Sequence, residues 1–151
     1  METYDPDKAA RVWQRVHNFG TPQTEYTSLP ELIAEEWQDA AIYLNLSRRF
    51  PQKESRILRR LFEEERAHAA CLKGIYTLIS GQRGIPRREA LPQEPVEATL
   101  RKCYGREMRC LAEYEARSED PEYGQIFARL AVQEWEHCRM VLELLGGLKQ
   151  E

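Results

Sequence analysis

The sequence has no apolar run approaching the roughly 18 residues that a membrane-spanning helix needs. Its N-terminal stretch, METYDPDKAARVW, lacks the apolar core of a signal peptide, so the expected compartment is the cytoplasm, with no membrane partner. No excess of one charge is present either. Lys and Arg number 22 against 25 Asp and Glu, a net charge of −3. The basic residues Arg48, Arg49, Arg56, Arg59 and Arg60 are interleaved with acids, the pattern of a solvated helix face, which argues against a nucleic-acid partner. The four cysteines, Cys71, Cys103, Cys110 and Cys138, contain no C-x-x-C pair. That excludes a zinc ribbon or similar cysteine-bound module, and in a reducing compartment it predicts buried free thiols. Segments that alternate apolar and polar residues are missing too, which removes strands from consideration.

What is present is a 151-residue chain, 42% hydrophobic and 31% charged, enough for one domain with its own core. Residues 5–18 predict a short amphipathic helix, ended by Gly20-Thr21-Pro22, within an N-terminal extension over 1–27. Four long helices are predicted within 28–148. The first starts at Ser28-Leu29-Pro30-Glu31, where Ser28 can cap, Pro30 needs no N–H, and Glu31 completes a capping box. It should run to about Phe50, because Pro51 disfavours helix at the residue before it. The second spans about Gln52 to Ser80, and the third about Val96 to Arg117. Asp120-Pro121 reads as cap and first-turn proline of the fourth, which ends at Gly146-Gly147. Between the second and third lies GQRGIPRREALPQEP, long enough to cross a bundle. Short turn, long crossover, short turn predicts an all-α, antiparallel four-helix bundle of the ferritin-like connectivity.

The inward stripes carry the chemistry. The second helix gives Leu58, Leu61, Glu65, His68, Leu72, Ile75 and Ile79; the fourth gives Phe127, Leu130, Glu134, His137, Val141 and Leu144. Each apolar seam is interrupted midway by a Glu and a His three residues apart, which share a helical face. The first helix runs Leu32, Glu36, Ala40, Tyr43, and the third Leu100, Cys103, Glu107, Cys110, Tyr114. In both, a Tyr follows the Glu by seven residues. The chain is therefore two matching halves in its chemistry-bearing positions.

Four carboxylates in the middle of an apolar bundle lose their hydration and are costly to ionise. Two divalent cations would balance four glutamate charges, with His68 and His137 as neutral ligands. Oxygen and imidazole donors without thiolate suit iron, with manganese as the alternative, better than structural zinc. Six metal ligands and two metal ions per chain are expected: Glu36, Glu65, His68, Glu107, Glu134 and His137. A haem is not expected, because Met108 lies off the inward face and single methionines usually fill gaps.

The fragments ELIAEEWQDAAIYL, FEEERAHAACL, GREMRCLAEYEA and LAVQEWEHCRMV resemble the four helices of the rubrerythrin/ferritin-like superfamily, over about residues 28–147. The resemblance implies that Glu36 and Glu107 are terminal ligands, Glu65 and Glu134 bridging ligands, and His68 and His137 the imidazole ligands. It also implies that Tyr43 and Tyr114 support the carboxylates as hydrogen-bond donors; plain core packing is the alternative. Two features depart from rubrerythrins. The rubredoxin domain that usually delivers their electrons is not found in this chain. The extra glutamate three residues after the third-helix ligand is replaced by Cys110, while Asp39 occupies the corresponding place after Glu36. Cys110 is expected to pack as a buried thiol, with metal contact or redox chemistry as the alternative. The activity implied is a di-iron oxidoreductase acting on peroxide or oxygen, supplied by an external electron donor and assembled as a homodimer. The alternatives are a ferroxidase or iron-handling protein of the ferritin type, and an oxygenase of an organic substrate.

Overall fold

Local signals at the chain's turns decide where each helix begins and ends. The computed structural model describes residues 27–83 and 89–148; the expected helix over 5–18 lies outside them. Four helices account for all the regular structure among the described residues: α1 (Leu29–Ser47), α2 (Gln52–Ser80), α3 (Val96–Arg117) and α4 (Gly124–Gly146). No strand occurs among these residues.

The Ser28 hydroxyl accepts the Glu31 N–H at 3.4 Å, and Pro30 lies in the first turn, so α1 starts where its cap chemistry lies. Its end comes three residues before Phe50. The N–H groups of Arg48 and Arg49 turn back to the carbonyls of Asn45 (3.3 Å) and Leu46 (2.9 Å), tightening the last turn before Pro51. At the other end of α2, Gly81 adopts a left-handed φ of 70° and its N–H bonds to the Thr77 carbonyl at 2.8 Å. The expected start of α4 at Pro121 also moves. Asp120 Oδ1 accepts the N–H groups of Glu122 and Tyr123, both at 2.9 Å, folding 121–123 into a turn of its own. The regular helix begins only at Gly124, where a Cβ would lie 2.4 Å from the Ser118 carbonyl oxygen.

The helices associate chiefly as two pairs, α1 with α2 and α3 with α4, with lighter contact between α2 and α4 and between α1 and α3. The bundle has two apolar layers rather than one. Leu32, Ile33, Leu72, Ile75, Tyr114 and Phe127 form part of one; Ile42, Leu46, Leu58, Leu61, Leu100 and Val141 form part of the other. Burying a leucine such as Leu58 contributes about 1.5–3 kcal/mol. Along each helix the polar residues Glu36, Glu65, His68, Glu107, Glu134 and His137 fall between these layers, and all six are buried.

Two glycine substitutions should move stability in opposite directions. Gly74 is exposed inside α2 with open space around its Cα, so Gly74→Ala should stabilise by about 0.5–1 kcal/mol. Gly124→Ala forces a methyl group against backbone and should cost about 1–3 kcal/mol. Urea unfolding of both variants checks the pair; a neutral Gly124→Ala would contradict the close approach.

Candidate metal centre

A Glu-x-x-His pair from α2 meets one from α4 because both occupy seam positions at the same level of the bundle. Ligand atoms of Glu65, His68, Glu134 and His137 all lie within 4.8 Å of one another, and these four residues could hold a metal ion. His68 Nδ1 lies 2.8 Å from Glu134 Oε1 and 3.6 Å from Glu36 Oε2. His137 Nδ1 lies 2.6 Å from Glu65 Oε1, 3.4 Å from Glu107 Oε2 and 3.7 Å from Glu134 Oε2. The two imidazoles are stacked, with centroids 5.2 Å apart. All six residues expected from the sequence therefore converge.

Convergence is not the same as satisfaction. His137 Nδ1 and Glu65 Oε1 are close, yet both are buried without a hydrogen-bond partner, because the 2.6 Å contact is out of line for one. Glu36 Oε2, Glu134 Oε2 and His137 Nε2 are also buried without partners. Among the described residues, the ion pairs of these four carboxylates are with the two imidazoles alone. Buried polar atoms are normally paired, and leaving one unpaired costs about 1–3 kcal/mol. A cation bound among them would give these unpaired atoms the partners they lack.

The tyrosines answer the question that the sequence left between support and packing. Tyr43 Oη donates to Glu107 Oε1 at 2.6 Å, and Tyr114 Oη donates to Glu36 Oε1. Each therefore supports the glutamate of the other half, not the one seven residues before it. Burial, then the charge of that glutamate, holds both phenols well above their ordinary pKa, so they remain donors.

Beyond the six, Gln133 and Glu64 had no role assigned from the sequence. His68 Nε2 lies 2.6 Å from Gln133 Oε1, and His137 Nε2 lies 3.6 Å from Glu64 Oε2. Gln133 and Glu64 each directly precede a seam glutamate, a repeated position that could have flagged them. Asp39 is buried; Arg106 Nε donates to its Oδ1 at 2.5 Å. Cys110 is a buried free thiol whose Sγ lies 4.0 Å from Glu35 Oε2, and burial, then Glu36 and Glu134, pushes its pKa well up. Met108 is exposed, consistent with its place off the seam.

Burial and crowding divide the carboxyls by protonation. Burial, reinforced by neighbouring carboxylates, raises Glu65 and Glu134 well above the usual range. Burial opposes ionisation at Glu107 and Glu36 as well, but there it is outweighed. Glu134 and His137 hold Glu107 at about 2, and Glu65 and His68 hold Glu36 low. Burial alone would lower both histidines; hydrogen bonds to carboxylates overcome it, chiefly Glu134 at His68 and Glu107 at His137. They raise His68 to about 10 and His137 to about 12. Without a cation, protons hold the cluster together.

Compared with models of protein families, with curated proteins and with solved structures, the chain matches none.

The protonation pattern sets a pH dependence for metal-free protein. His68 contributes stability that is complete below its ordinary pKa and lost as pH rises through about 10. Glu65 and Glu134, with raised pKa values, also lose stabilisation as pH rises above their ordinary value. Glu36 and Glu107 are lowered, so their contribution is lost only in acid. The thermal midpoint should therefore fall between about pH 5.5 and about pH 9.5 when metal is absent. A flat or rising midpoint over that interval, measured by circular dichroism, would contradict the assignment.

Proposed function

We propose that this chain is a two-metal carboxylate protein of the rubrerythrin/ferritin-like kind, with a di-iron centre that reduces peroxide or oxygen using electrons from an external donor. The observation that carries the proposal is the set of buried, unpartnered atoms on Glu36, Glu65, Glu134 and His137, in a cluster where ligand atoms of Glu65, His68, Glu134 and His137 lie within 4.8 Å of one another. In this reading Glu36 and His68 would hold one ion and Glu107 and His137 the other, with Glu65 and Glu134 shared between them. The fold that accompanies it is an antiparallel bundle of two hairpins, α1 with α2 and α3 with α4, working as a homodimer. Manganese is the alternative metal.

Two iron ions held there would supply redox equivalents and Lewis acidity. The protein's own atoms supply the rest. Tyr43 and Tyr114 each occupy one oxygen of a terminal glutamate, leaving the other to point at the centre. Gln133 accepts at His68 Nε2, which fixes the proton there and leaves Nδ1 as the donor to metal. The two apolar layers exclude water from above and below, strengthening every charge interaction between them. A cleft of about 650 Å³ lies on the α1–α3 side, lined by Glu31, Glu35, Gln38, Lys102 and Arg106, and Arg106 also pairs with the buried Asp39. The size of the cleft also supports the second reading, an oxygenase whose organic substrate waits outside the centre.

The test is hydrogen peroxide consumption by iron-loaded protein with a chemical reductant, beside the Glu65→Ala/Glu134→Ala double variant. The wild type should consume peroxide, and the double variant should lose about 10²-fold or more of that rate. Iron-loaded wild type no faster than metal-free protein would contradict the peroxidase reading.

A further inference from the structure

The two ends of the centre are not built from the same atoms. The halves match at Glu36 and Glu107, Tyr43 and Tyr114, Glu65 and Glu134, and His68 and His137. Three residues beyond each single glutamate the match fails, with Asp39 on α1 and Cys110 on α3. Both are 2% exposed, but they serve opposite ends. A ligand oxygen of Asp39 lies within 4.8 Å of those of Glu65 and Glu107, which places it beside the Glu107–His137 position. Cys110 packs in the apolar layer with Leu32 and Leu72, which lie one turn from Glu36 and His68, on the Glu36–His68 side. The outer neighbours of the imidazoles differ in the same sense. A carboxylate, Glu64, faces His137 Nε2, whereas a neutral amide, Gln133, bonds His68 Nε2.

The competing explanation of Asp39 is that it serves only as counter-ion to Arg106. That leaves its location unexplained. Arg106 keeps 27% of its side chain exposed, so solvent already hydrates it in part, whereas Asp39 is buried beside two further carboxylates. Three crowded carboxylates repel one another, and Arg106 pairs with Asp39 alone among them. One of them, Glu65, also carries a buried oxygen, Oε1, with no hydrogen-bond partner. A carboxylate can serve a guanidinium with one oxygen and a cation with the other. Arg106 Nε holds Asp39 by Oδ1, fixing the group at the edge of the centre.

We propose that Asp39 is a seventh ligand, belonging to the metal position at Glu107 and His137, and that the two positions are therefore unequal. This rests on the two-metal reading above. The Glu107–His137 position is oxygen-rich and fills first. The Glu36–His68 position has a thiol where its counterpart has a carboxylate, and it fills second and more weakly. Carboxylate donors favour hard cations such as Mn(II) and Fe(II), so the inequality is one of affinity as well as of composition.

Stepwise titration of metal-free protein with Mn(II) tests this, read by calorimetry and by electron paramagnetic resonance, which separates a single ion from a coupled pair. Wild type should bind two ions with dissociation constants about tenfold or more apart, the single-ion signal appearing first. Asp39→Asn should weaken the first step by about tenfold or more while leaving the second within about threefold. Cys110→Asp should strengthen the second step and narrow the gap, a gain that loss of folding cannot produce. Two equal steps in wild type, Asp39→Asn weakening both steps alike or neither, or Cys110→Asp leaving the second step unchanged would each overturn the assignment of Asp39 while leaving the two-metal reading standing. Absence of any Mn(II) binding by wild type would overturn both.

Discussion

Four carboxylates and two imidazoles sit between two apolar layers, and the rest of the structure is arranged around the cost of keeping them there. Each layer is an ordinary hydrophobic core contributed by all four helices. The plane between them is the opposite, a polar cluster with five buried atoms, from four of the six residues, left without hydrogen-bond partners. A bundle selected only for stability would place apolar side chains at these positions, as it does a turn away: Leu32 and Ala40 on α1, Leu61 and Leu72 on α2, Cys103 and Cys110 on α3, Leu130 and Val141 on α4. The retained charge is best understood as a requirement of the site, held in place by the cores above and below it.

The supporting contacts cross between the halves, and this crossing couples the two helix pairs. Tyr43 on α1 holds Glu107 on α3, while Tyr114 on α3 holds Glu36 on α1. His68 on α2 reaches Glu134 on α4, and His137 on α4 reaches Glu65 on α2. Each pair packs mainly within itself, so these polar contacts are a large part of what registers one pair against the other. A cation shared by all four helices would strengthen that registration further. Metal binding and bundle stability are then two aspects of one interaction.

Much of this was legible in the sequence, for a physical reason. A seam position is fixed by helical periodicity alone, so Glu65, His68, Glu134 and His137 could be placed on inward stripes before any coordinates. Glu36 and Glu107 followed from their spacing to Tyr43 and Tyr114. Contacts between helices are not periodic and were not legible. The resemblance implies that each tyrosine supports a carboxylate, with core packing as the alternative; which carboxylate depends on how the helices face one another. Asp39 shares a face with Glu36, but its approach to Glu65 and Glu107, and its bond to Arg106, arise only in three dimensions. Helix ends were misjudged at Phe50 and Pro121 because tight local turns, after Ser47 and around Asp120, replaced regular helix there.

The central claim is that this polar plane exists to hold two metal ions. The most direct test is anaerobic loading of metal-free protein with excess Fe(II), followed by removal of unbound metal and elemental analysis against protein concentration. The account predicts two iron ions per chain, retained through desalting. Fewer than one per chain would contradict it, and would mean that protons alone satisfy the cluster.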